Sequence, residues 1–384
     1  MELSKGLHLA YCTNIHRGED WAQTFRSLKT DVMSVRDRVS QNKAYAIGLR
    51  LSDLASRELS DPAVLETFQQ WLKDQNCYVF TINGFPFGNF HGTRVKEQVY
   101  VPDWTSKDRL EYTNRLFDLI AVLVPDGVDG SVSTLPGSFK EFITEESQEI
   151  QIRENIWQCV EHISDLSART GKALHLGLEP EPCGYFETST ETVCFFESLY
   201  AQHPNDSRLY EHLGVNYDTC HLAVEYEEPK TAIGALRDAG LRISKLHLSA
   251  ALIVQPDDTV KGNLKAFEDD VYLHQVIEKT RLGNLNRYRD LGVALAADIE
   301  AEEWRIHFHV PLHSPDGDWF KTTREHIKGV LDLLQEDPEL CSHLEMETYT
   351  WEVLPNQMKN RDVVDQLVGE YEWTLGELTA RGLA

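Results

Sequence analysis

The chain has 384 residues, of which 62 are acidic and 37 basic, and its formal net charge of −25 argues against nucleic acid and anionic membrane surfaces as partners. Hydrophobic residues make up 41% of the chain and aromatic residues 10%, which is enough for a large buried core and excludes a disordered protein. Because no apolar run approaches the roughly 20 residues that span a bilayer, and the N-terminus lacks a signal-peptide pattern, the sequence predicts a cytoplasmic protein without membrane insertion.

Helical and extended segments alternate along the whole chain. The first helix is predicted from an apolar stripe with steps of three or four residues, formed by Trp21, Phe25, Leu28, Val32, Val35 and Val39. A later helix begins at Pro62, a residue type favoured at the first helical position, and another ends near Gly171, where glycine suits a left-handed cap. The predicted strands start near residues 7, 44, 76, 129, 173, 213, 243, 305 and 344.

This alternation predicts an α/β protein with a mostly parallel sheet. Its length favours a closed (β/α)8 barrel, or TIM barrel, formed as a single domain over residues 1–384. A nucleotide-binding open sheet is disfavoured because the first strand is not followed by a glycine-rich phosphate-binding turn. An eight-stranded barrel leaves one of the predicted strands outside it. Residues 250–304 are longer than one strand–helix unit requires, so we predict an insertion over the mouth of the barrel.

Four predicted strands carry a carboxylate or an imidazole close to their carboxyl ends. Alternation along each strand turns these side chains toward the barrel interior, at the end where active sites of this architecture form. Several buried carboxylates around one axis repel one another unless a positive charge lies between them, and a divalent cation supplies that charge. Mn²⁺, Zn²⁺, Co²⁺ and Mg²⁺ all accept oxygen and imidazole ligands, and the pattern does not choose among them. The predicted metal ligands are Glu179, Asp218, His247 and Glu347.

Each of these residues has a more ordinary explanation when it is taken alone. A single glutamate at a strand end is usually solvated, and a single histidine on a strand usually belongs to the core. Glu181 and Glu345 lie on the same side of their strands as Glu179 and Glu347. Either of them could replace its neighbour as a ligand or could bind a substrate hydroxyl instead.

Further histidines are predicted near the same mouth. His221 follows Asp218 by three residues, and His16 closes the polar segment after the first strand. The pair His307 and His309 could bind a metal, but we favour substrate binding. Aromatic residues in the loop 83–92 either bury that loop or form an apolar wall and lid over a ligand. The predicted substrate-binding residues are His16, Glu181, His221, His307, His309 and Glu345.

The strand-end motifs resemble those of a known family. Their order and spacing are similar to the metal-binding strand ends of the xylose-isomerase-like TIM barrels, which include sugar-phosphate isomerases and ketose epimerases. The motifs are Leu178-Glu179, Asp218-Thr219-Cys220-His221, Leu246-His247-Leu248 and Met346-Glu347. A narrower resemblance, to the EboE-type metabolite-traffic proteins, runs from the first strand to the last and rests on residues 11–16, 83–86, 307–311 and 347–351.

This resemblance implies an activity and a partner. In the ketose epimerases two metal-bound glutamates flank the substrate and move a proton, which assigns catalytic roles to Glu179 and Glu347. EboE-type proteins are associated with a cluster that exports a secondary metabolite or its precursor, which implies a small polyhydroxylated metabolite as the partner. The segment 250–304 departs from the epimerase pattern, so a non-catalytic protein that binds and hands over a metabolite is an alternative, as is a metal-assisted hydrolase. Nothing in the sequence indicates an oligomeric state.

Overall fold

Eight parallel strands form the central sheet of the computed structural model, which describes residues 1–40, 43–88, 90, 95–268, 271–297, 301–349 and 362–384. The sheet runs in the order β1-β13-β7-β6-β5-β4-β3-β2, and a parallel bridge between Cys12 and Gly48 brings its two edges together into a nearly closed barrel. The predicted (β/α)8 class is therefore confirmed. The strands are β1 (His8–Tyr11), β2 (Tyr45–Arg50), β3 (Cys77–Asn83), β4 (Gly130–Thr134), β5 (Leu174–Leu178), β6 (Leu213–Asp218), β7 (Arg242–Leu248) and β13 (His343–Met346).

Most helices connect consecutive strands and pack on the outside of the barrel. The first predicted helix is interrupted by a π-helical segment, Leu28–Val32, although Leu28, Val32 and Val35 of its apolar stripe are buried as expected. The described helices are α1 (Trp21–Ser27), α2 (Met33–Val39), α3 (Asp53–Leu59), α4 (Pro62–Asp74), α5 (Lys107–Leu123), α6 (Glu146–Thr170), α7 (Ser189–Gln202), α8 (Ser207–His212), α9 (Thr219–Val224), α10 (Pro229–Asp238), α11 (Asp258–Leu264), α12 (Leu291–Ala296), α13 (Arg324–Glu336) and α14 (Val363–Ala380). Across the described ranges, no helix has the length and apolar character needed to cross a membrane.

A second, antiparallel sheet follows β7 and forms the predicted insertion. Its strands are β8 (Leu252–Val254), β9 (Val276–Thr280), β10 (Leu285–Tyr288), β11 (Ala301–Ile306) and β12 (Phe320–Thr322), in the order β10-β9-β11-β8-β12. The strand predicted to start near residue 305 corresponds to β11, which lies outside the barrel. It starts earlier, at Ala301, and ends at Ile306, so His307 and His309 follow this strand instead of lying on it. The insertion extends beyond the predicted limit of residue 304, because Phe320 pairs with Val254 and returns the chain beside β8.

The parallel register places the polar strand ends at one level of the barrel. Asp218 on β6 lies opposite His247 on β7, and His247 lies opposite Glu345 on β13. Every residue of β5, β6 and β13 is buried, because one side of each strand faces the helices and the other faces the barrel interior. The side chains at the carboxyl ends of these strands consequently converge where the insertion and the βα loops meet.

Candidate functional site

The structure brings Glu179, Asp218, His247 and Glu347 together at the carboxyl end of the barrel. Asp218 is the last residue of β6 and His247 lies within β7, whereas Glu179 and Glu347 directly follow β5 and β13. Each residue offers one potential ligand atom, and these four atoms all lie within 4.8 Å of one another. All four side chains are buried. We call these residues the carboxylate cluster.

The carboxylate cluster concentrates negative charge in a buried place. Burial, together with Glu179 and Asp218, raises the pKa of Glu347 to about 8. Burial also opposes a charge on His247, but the carboxylates, Glu347 foremost, raise the pKa of this ring well above its ordinary value. Within the cluster, the imidazole thus carries the positive charge that balances part of the negative charge. A divalent cation bound among these residues would balance the negative charge that remains.

Glu345 orients His247 from below. Its Oε2 atom lies 2.7 Å from His247 Nε2 and accepts a bond from Lys245 Nζ at 2.6 Å. The Nε2–H of His247 therefore points at Glu345, and Nδ1 faces Glu179 Oε1 at 3.0 Å. A carboxylate behind the ring is the usual arrangement around a metal-binding histidine. Gly48 permits it, since a Cβ atom there would lie 2.1 Å from Glu345 Oε1 and 2.5 Å from a backbone oxygen.

Three asparagines, none of them among the predicted site residues, hold the two glutamates of the cluster. Asn14 and Asn83 donate to Glu347 Oε1 at 2.7 and 2.9 Å, and Asn216 donates to Glu179 Oε2 at 2.6 Å. The available signal was their position: Asn83 ends β3, Asn216 lies near the carboxyl end of β6, and Asn14 lies in the short 3-10 turn Thr13–Ile15 that follows β1. These bonds fix the orientation of both carboxylates.

Asp218 offers an oxygen suited to a cation. Its Oδ1 atom accepts bonds from Ser249 Oγ at 2.6 Å and from two backbone N–H groups at the start of α9. Its Oδ2 atom is buried and has no hydrogen-bond partner within the described part of the chain. A buried carboxylate oxygen without a donor is costly, and a metal ion is one partner that removes the cost. The donor set of the carboxylate cluster therefore fits a divalent cation.

A cavity opens above the carboxylate cluster. Glu179 and Glu347 line it, and aromatic side chains form much of its wall. Phe85 and Phe90 of the loop 83–92 belong to this wall, whereas residues 89, 91 and 92 of that loop lie outside the described residues. The insertion contributes Tyr272. A mainly apolar pocket with a few convergent polar groups is the usual form of a small-molecule site.

Two of the predicted substrate-binding residues, Glu181 and His221, line this cavity. Glu181 Oε2 accepts a hydrogen bond from Tyr100 at 2.7 Å, and burial raises the pKa of Glu181 to about 7. His307 and His309 are buried and pack against His221, with ring centroids 4.7 and 5.4 Å from it. Burial lowers the pKa of both rings, to about 4 for His309.

The other two predicted substrate-binding residues lie elsewhere. His16 bonds to the hydroxyl of Tyr11 at 2.8 Å and lines a separate small cavity with Thr13 and Arg17. Glu345 lies beneath His247 and is fully buried between that ring and Lys245. Alternation along a strand predicts the side to which a residue points, but not its depth in the barrel, and depth separates Glu345 from Glu347.

Solved structures share this fold. An L-ribulose 3-epimerase is 13% identical, with a TM-score of 0.53, and the match covers 100% of this chain and 96% of the other. A D-psicose 3-epimerase from Clostridium cellulolyticum H10, solved with D-tagatose, is 11% identical, with a TM-score of 0.51 and coverage of 98% and 99%. No protein-family model and no curated protein matches the chain. At these identities the shared property is the barrel fold.

Proposed function

We propose that this chain is a divalent-metal-dependent enzyme that isomerises or epimerises a small polyhydroxylated carbonyl compound. The observation that supports this proposal most directly is the gathering of the carboxylate cluster beside a cavity that Glu179 and Glu347 line. The barrel shared with two sugar 3-epimerases is consistent with the same class of chemistry. The narrower resemblance to EboE-type proteins supports the further proposal that the substrate belongs to a secondary-metabolite biosynthesis and export pathway.

The four residues of the carboxylate cluster would hold the cation. When bound, a divalent ion supplies a Lewis acid that polarises a carbonyl or neighbouring hydroxyl oxygen of the substrate. Mn²⁺, Zn²⁺, Co²⁺ and Mg²⁺ are all compatible with three carboxylates and one imidazole. Glu345 and Lys245 would keep His247 in the orientation in which Nδ1 faces the cluster.

Glu179 and Glu347 are the proposed proton carriers. They line the cavity and follow β5 and β13, which lie on different sides of the barrel wall. Asn216 holds Glu179, whereas Asn14 and Asn83 hold Glu347 through Oε1 and leave Oε2 turned toward His247 at 3.4 Å. Two fixed carboxylates on two sides of a substrate carbon can remove a proton and return one.

Glu181 and His221 are the proposed substrate contacts. Both line the cavity, and Glu181 is held by the Tyr100 hydroxyl. Polar groups of this kind bind hydroxyl oxygens, while the aromatic wall excludes water from the reacting carbon. A small polyhydroxylated compound therefore matches the cavity better than a polymer or a nucleotide.

Deuterium exchange tests the proposed reaction. Full-length protein loaded with Mn²⁺ or Co²⁺ is incubated in D2O with a panel of ketopentoses and ketohexoses, and recovered sugars are analysed by NMR and mass spectrometry. We expect a metal-dependent epimer or isomer that carries deuterium at the exchanged carbon. Glu347→Gln should lower the rate by at least about 100-fold, because it removes one proton carrier.

The exposed Glu336 on α13 provides the matched control, since Glu336→Gln makes the same chemical change far from the cavity. This variant should retain the wild-type rate. If no panel sugar or pathway extract yields a product or gains deuterium, that result contradicts the enzyme proposal and favours passive binding. Hydrolysed products without deuterium at carbon would favour metal-assisted hydrolysis.

A further inference from the structure

Lys96 brings an ammonium group into the wall of the cavity. It is 8% exposed, and it is the only lysine or arginine among the described residues that line this cavity. The same lining contains the carboxylates of Glu179, Glu181 and Glu347. A buried ammonium group requires a partner, and Lys96 Nζ donates to Oδ2 of Asp290, a residue of the insertion.

Asp290 is held in place without the help of Lys96. Its Oδ1 atom accepts bonds from two backbone N–H groups, that of Leu291 at 3.0 Å, where it caps the start of α12, and that of His274 at 3.1 Å. These bonds leave Oδ2 for the lysine. The negative charge that balances Lys96 therefore has a fixed position beside the ammonium group.

The backbone of Lys96 has a conformation that is uncommon for a residue with a side chain. Its φ is +38°, in the left-handed region, at the start of the short 3-10 helix Lys96–Tyr100. The N–H groups of Val95 and Lys96 both bond to the carbonyl oxygen of Val271 at 2.8 Å, which holds this turn. Glycine suits such a conformation best, and backbone strain of this kind clusters at functional sites. A lysine in this turn therefore indicates a role for its side chain.

The ammonium group retains hydrogens for a bound molecule. It carries three hydrogens, and Asp290 Oδ2 is its one acceptor in the described part of the chain. Because Lys96 lines the cavity, the remaining hydrogens can be donated to an oxygen atom of a ligand there.

The charges around the cavity favour a ligand without charge. Asp290 balances the charge of Lys96, and three further carboxylates line the same cavity. A cation bound in the carboxylate cluster would be balanced by its own ligands. A phosphate group beside Lys96 would therefore meet no net positive charge and would be repelled by the Asp290 carboxylate. A hydroxyl oxygen accepts the same hydrogen bond without this repulsion.

Aromatic rings supply carbon surface in the same cavity. Phe90, Tyr272 and Tyr349 pack on one another with ring centroids 5.2 to 5.4 Å apart. The hydroxyl of Tyr272 donates to the carbonyl oxygen of Phe90 at 3.1 Å, and that of Tyr100 donates to Glu181. Since these hydroxyls are engaged within the protein, the rings offer apolar surface to a carbon skeleton. Ring surface together with a few hydrogen-bonding groups matches an uncharged polyhydroxylated compound.

We propose that Lys96 determines the substrate class of this cavity. Its ammonium group donates to a hydroxyl oxygen of the ligand, and its pairing with Asp290 makes the site accept uncharged polyhydroxylated compounds and disfavour their phosphate esters. This inference rests on the proposed function for the polyhydroxylated nature of the ligand, but not for its turnover. The alternative is that the pair only fastens the insertion to the segment after β3.

Ligand binding by full-length, Mn²⁺-loaded protein tests this assignment. Isothermal titration calorimetry is carried out with ketohexoses, with hexitols and with the 6-phosphate ester of each; hexitols lack a carbonyl group and cannot turn over. We expect wild type to bind an uncharged probe at least about 10-fold more tightly than its phosphate ester. Lys96→Met keeps the apolar stem and should weaken binding of the uncharged probe about 10- to 100-fold, because it removes a charged hydrogen-bond donor.

Asp290→Asn separates a binding role from a fastening role. The amide oxygen can still cap α12, but the charge of Lys96 is no longer balanced. The preference for the uncharged probe over its ester should therefore fall by about 10-fold or reverse, which a fastening role does not produce. Arg289→Met is the matched control, because Arg289 ties the insertion to Glu97 at 3.3 Å and is not among the described residues that line the cavity. It should keep the wild-type affinities.

Several results would overturn the assignment of Lys96. These are equal affinities of wild type and Lys96→Met, equal losses in Lys96→Met and Arg289→Met with an unchanged preference, or failure of every uncharged probe to bind wild type. If hexitols bind with the expected dependence on Lys96 but no ketose turns over, only the enzyme proposal fails. If Lys96→Met does not fold, a crystal structure of wild type with a bound hexitol decides the question. A hydrogen bond from Lys96 Nζ to the hexitol supports the assignment, and a hexitol bound without it overturns the assignment.

Discussion

The two ends of the barrel carry buried histidines in different surroundings. At the amino end, His8, His175 and His343 each place Nδ1 near a hydroxyl, those of Tyr78, Ser244 and Ser131 respectively, at 2.6 to 2.8 Å. Burial lowers the pKa of all three rings. At the carboxyl end, His247 lies among carboxylates that raise its pKa.

This difference shows what makes an inward histidine part of a site. An imidazole that faces hydroxyls and rings fills space in the core, as His343 does against Phe80 at a centroid distance of 4.8 Å. An imidazole that faces Glu179 and Glu347 must either carry a charge or share a cation with them. The surrounding carboxylates, more than the inward direction of the ring, therefore distinguish the candidate site from the core.

The largest effect is expected from Glu345→Gln, which removes the carboxylate that bonds both Lys245 and His247 at the carboxyl end of the barrel. The variant leaves the Lys245 ammonium buried beside a neutral amide, which should cost about 3–5 kcal/mol of the free energy of unfolding. It also weakens the acceptor behind His247, so the metal affinity of the carboxylate cluster should fall about 10- to 100-fold. Urea unfolding in the presence of a chelator measures the first effect, and metal titration measures the second.

The double variant Lys245→Met/Glu345→Leu is the control for this prediction, because it removes both buried charges. It should recover most of the stability and leave the metal affinity low. Unchanged metal affinity in Glu345→Gln would show that Glu345 does not orient His247.

A smaller effect is expected for Glu370, a buried carboxyl group on α14 outside the barrel. It accepts a bond from Thr348 Oγ1 at 2.7 Å, and burial raises its pKa to about 7. The folded chain therefore favours the protonated form of Glu370. The stability that this preference contributes is fully present below the ordinary pKa of about 4.5 and is lost as the pH rises to about 7. In Glu370→Gln, the loss of unfolding free energy between pH 5 and pH 8 should be smaller by roughly 2 kcal/mol.

Denaturant unfolding at several pH values measures this difference. The exposed Glu372 on the same helix is the matched control, and Glu372→Gln should keep the wild-type pH dependence. Equal pH profiles for wild type and Glu370→Gln would show that this carboxyl group is not held in its protonated form.

The smallest effect is expected from His343→Leu at the amino end. The variant loses the contact with Ser131, but it also removes a buried Nε2 atom that has no hydrogen-bond partner in the ranges described. These two contributions oppose each other, so the free energy of unfolding at pH 7.5 should change by less than about 1 kcal/mol. Metal content should equal that of wild type by elemental analysis. A loss of bound metal would contradict the separation of the two barrel ends.

Local patterns in the sequence predicted the barrel and the positions of Glu179, Asp218, His247 and Glu347. Alternation along a strand is a property of the backbone, so it assigns the inward face without knowledge of the neighbours. Alternation also predicted that Glu345 would share the site with Glu347. In the structure Glu345 lies one strand repeat deeper, where it bonds Lys245 and His247. The asparagines around the glutamates were missed because no sequence pattern marks an amide side chain that donates a hydrogen bond to a metal-binding carboxylate.

The sequence by itself determined the alternation of barrel strands with helices, the inward face of those strands and the end of the barrel where polar residues collect. Only the tertiary structure decided which nitrogen of each histidine is turned toward its neighbours, because that depends on carbonyl groups such as those of Pro180 and Glu347, which have no signature in the sequence. It also decided that the chain after β11 reaches His221, a contact between residues 88 positions apart in the chain. Hydrogen-bond direction and long-range proximity arise from packing, whereas face and periodicity arise from the backbone.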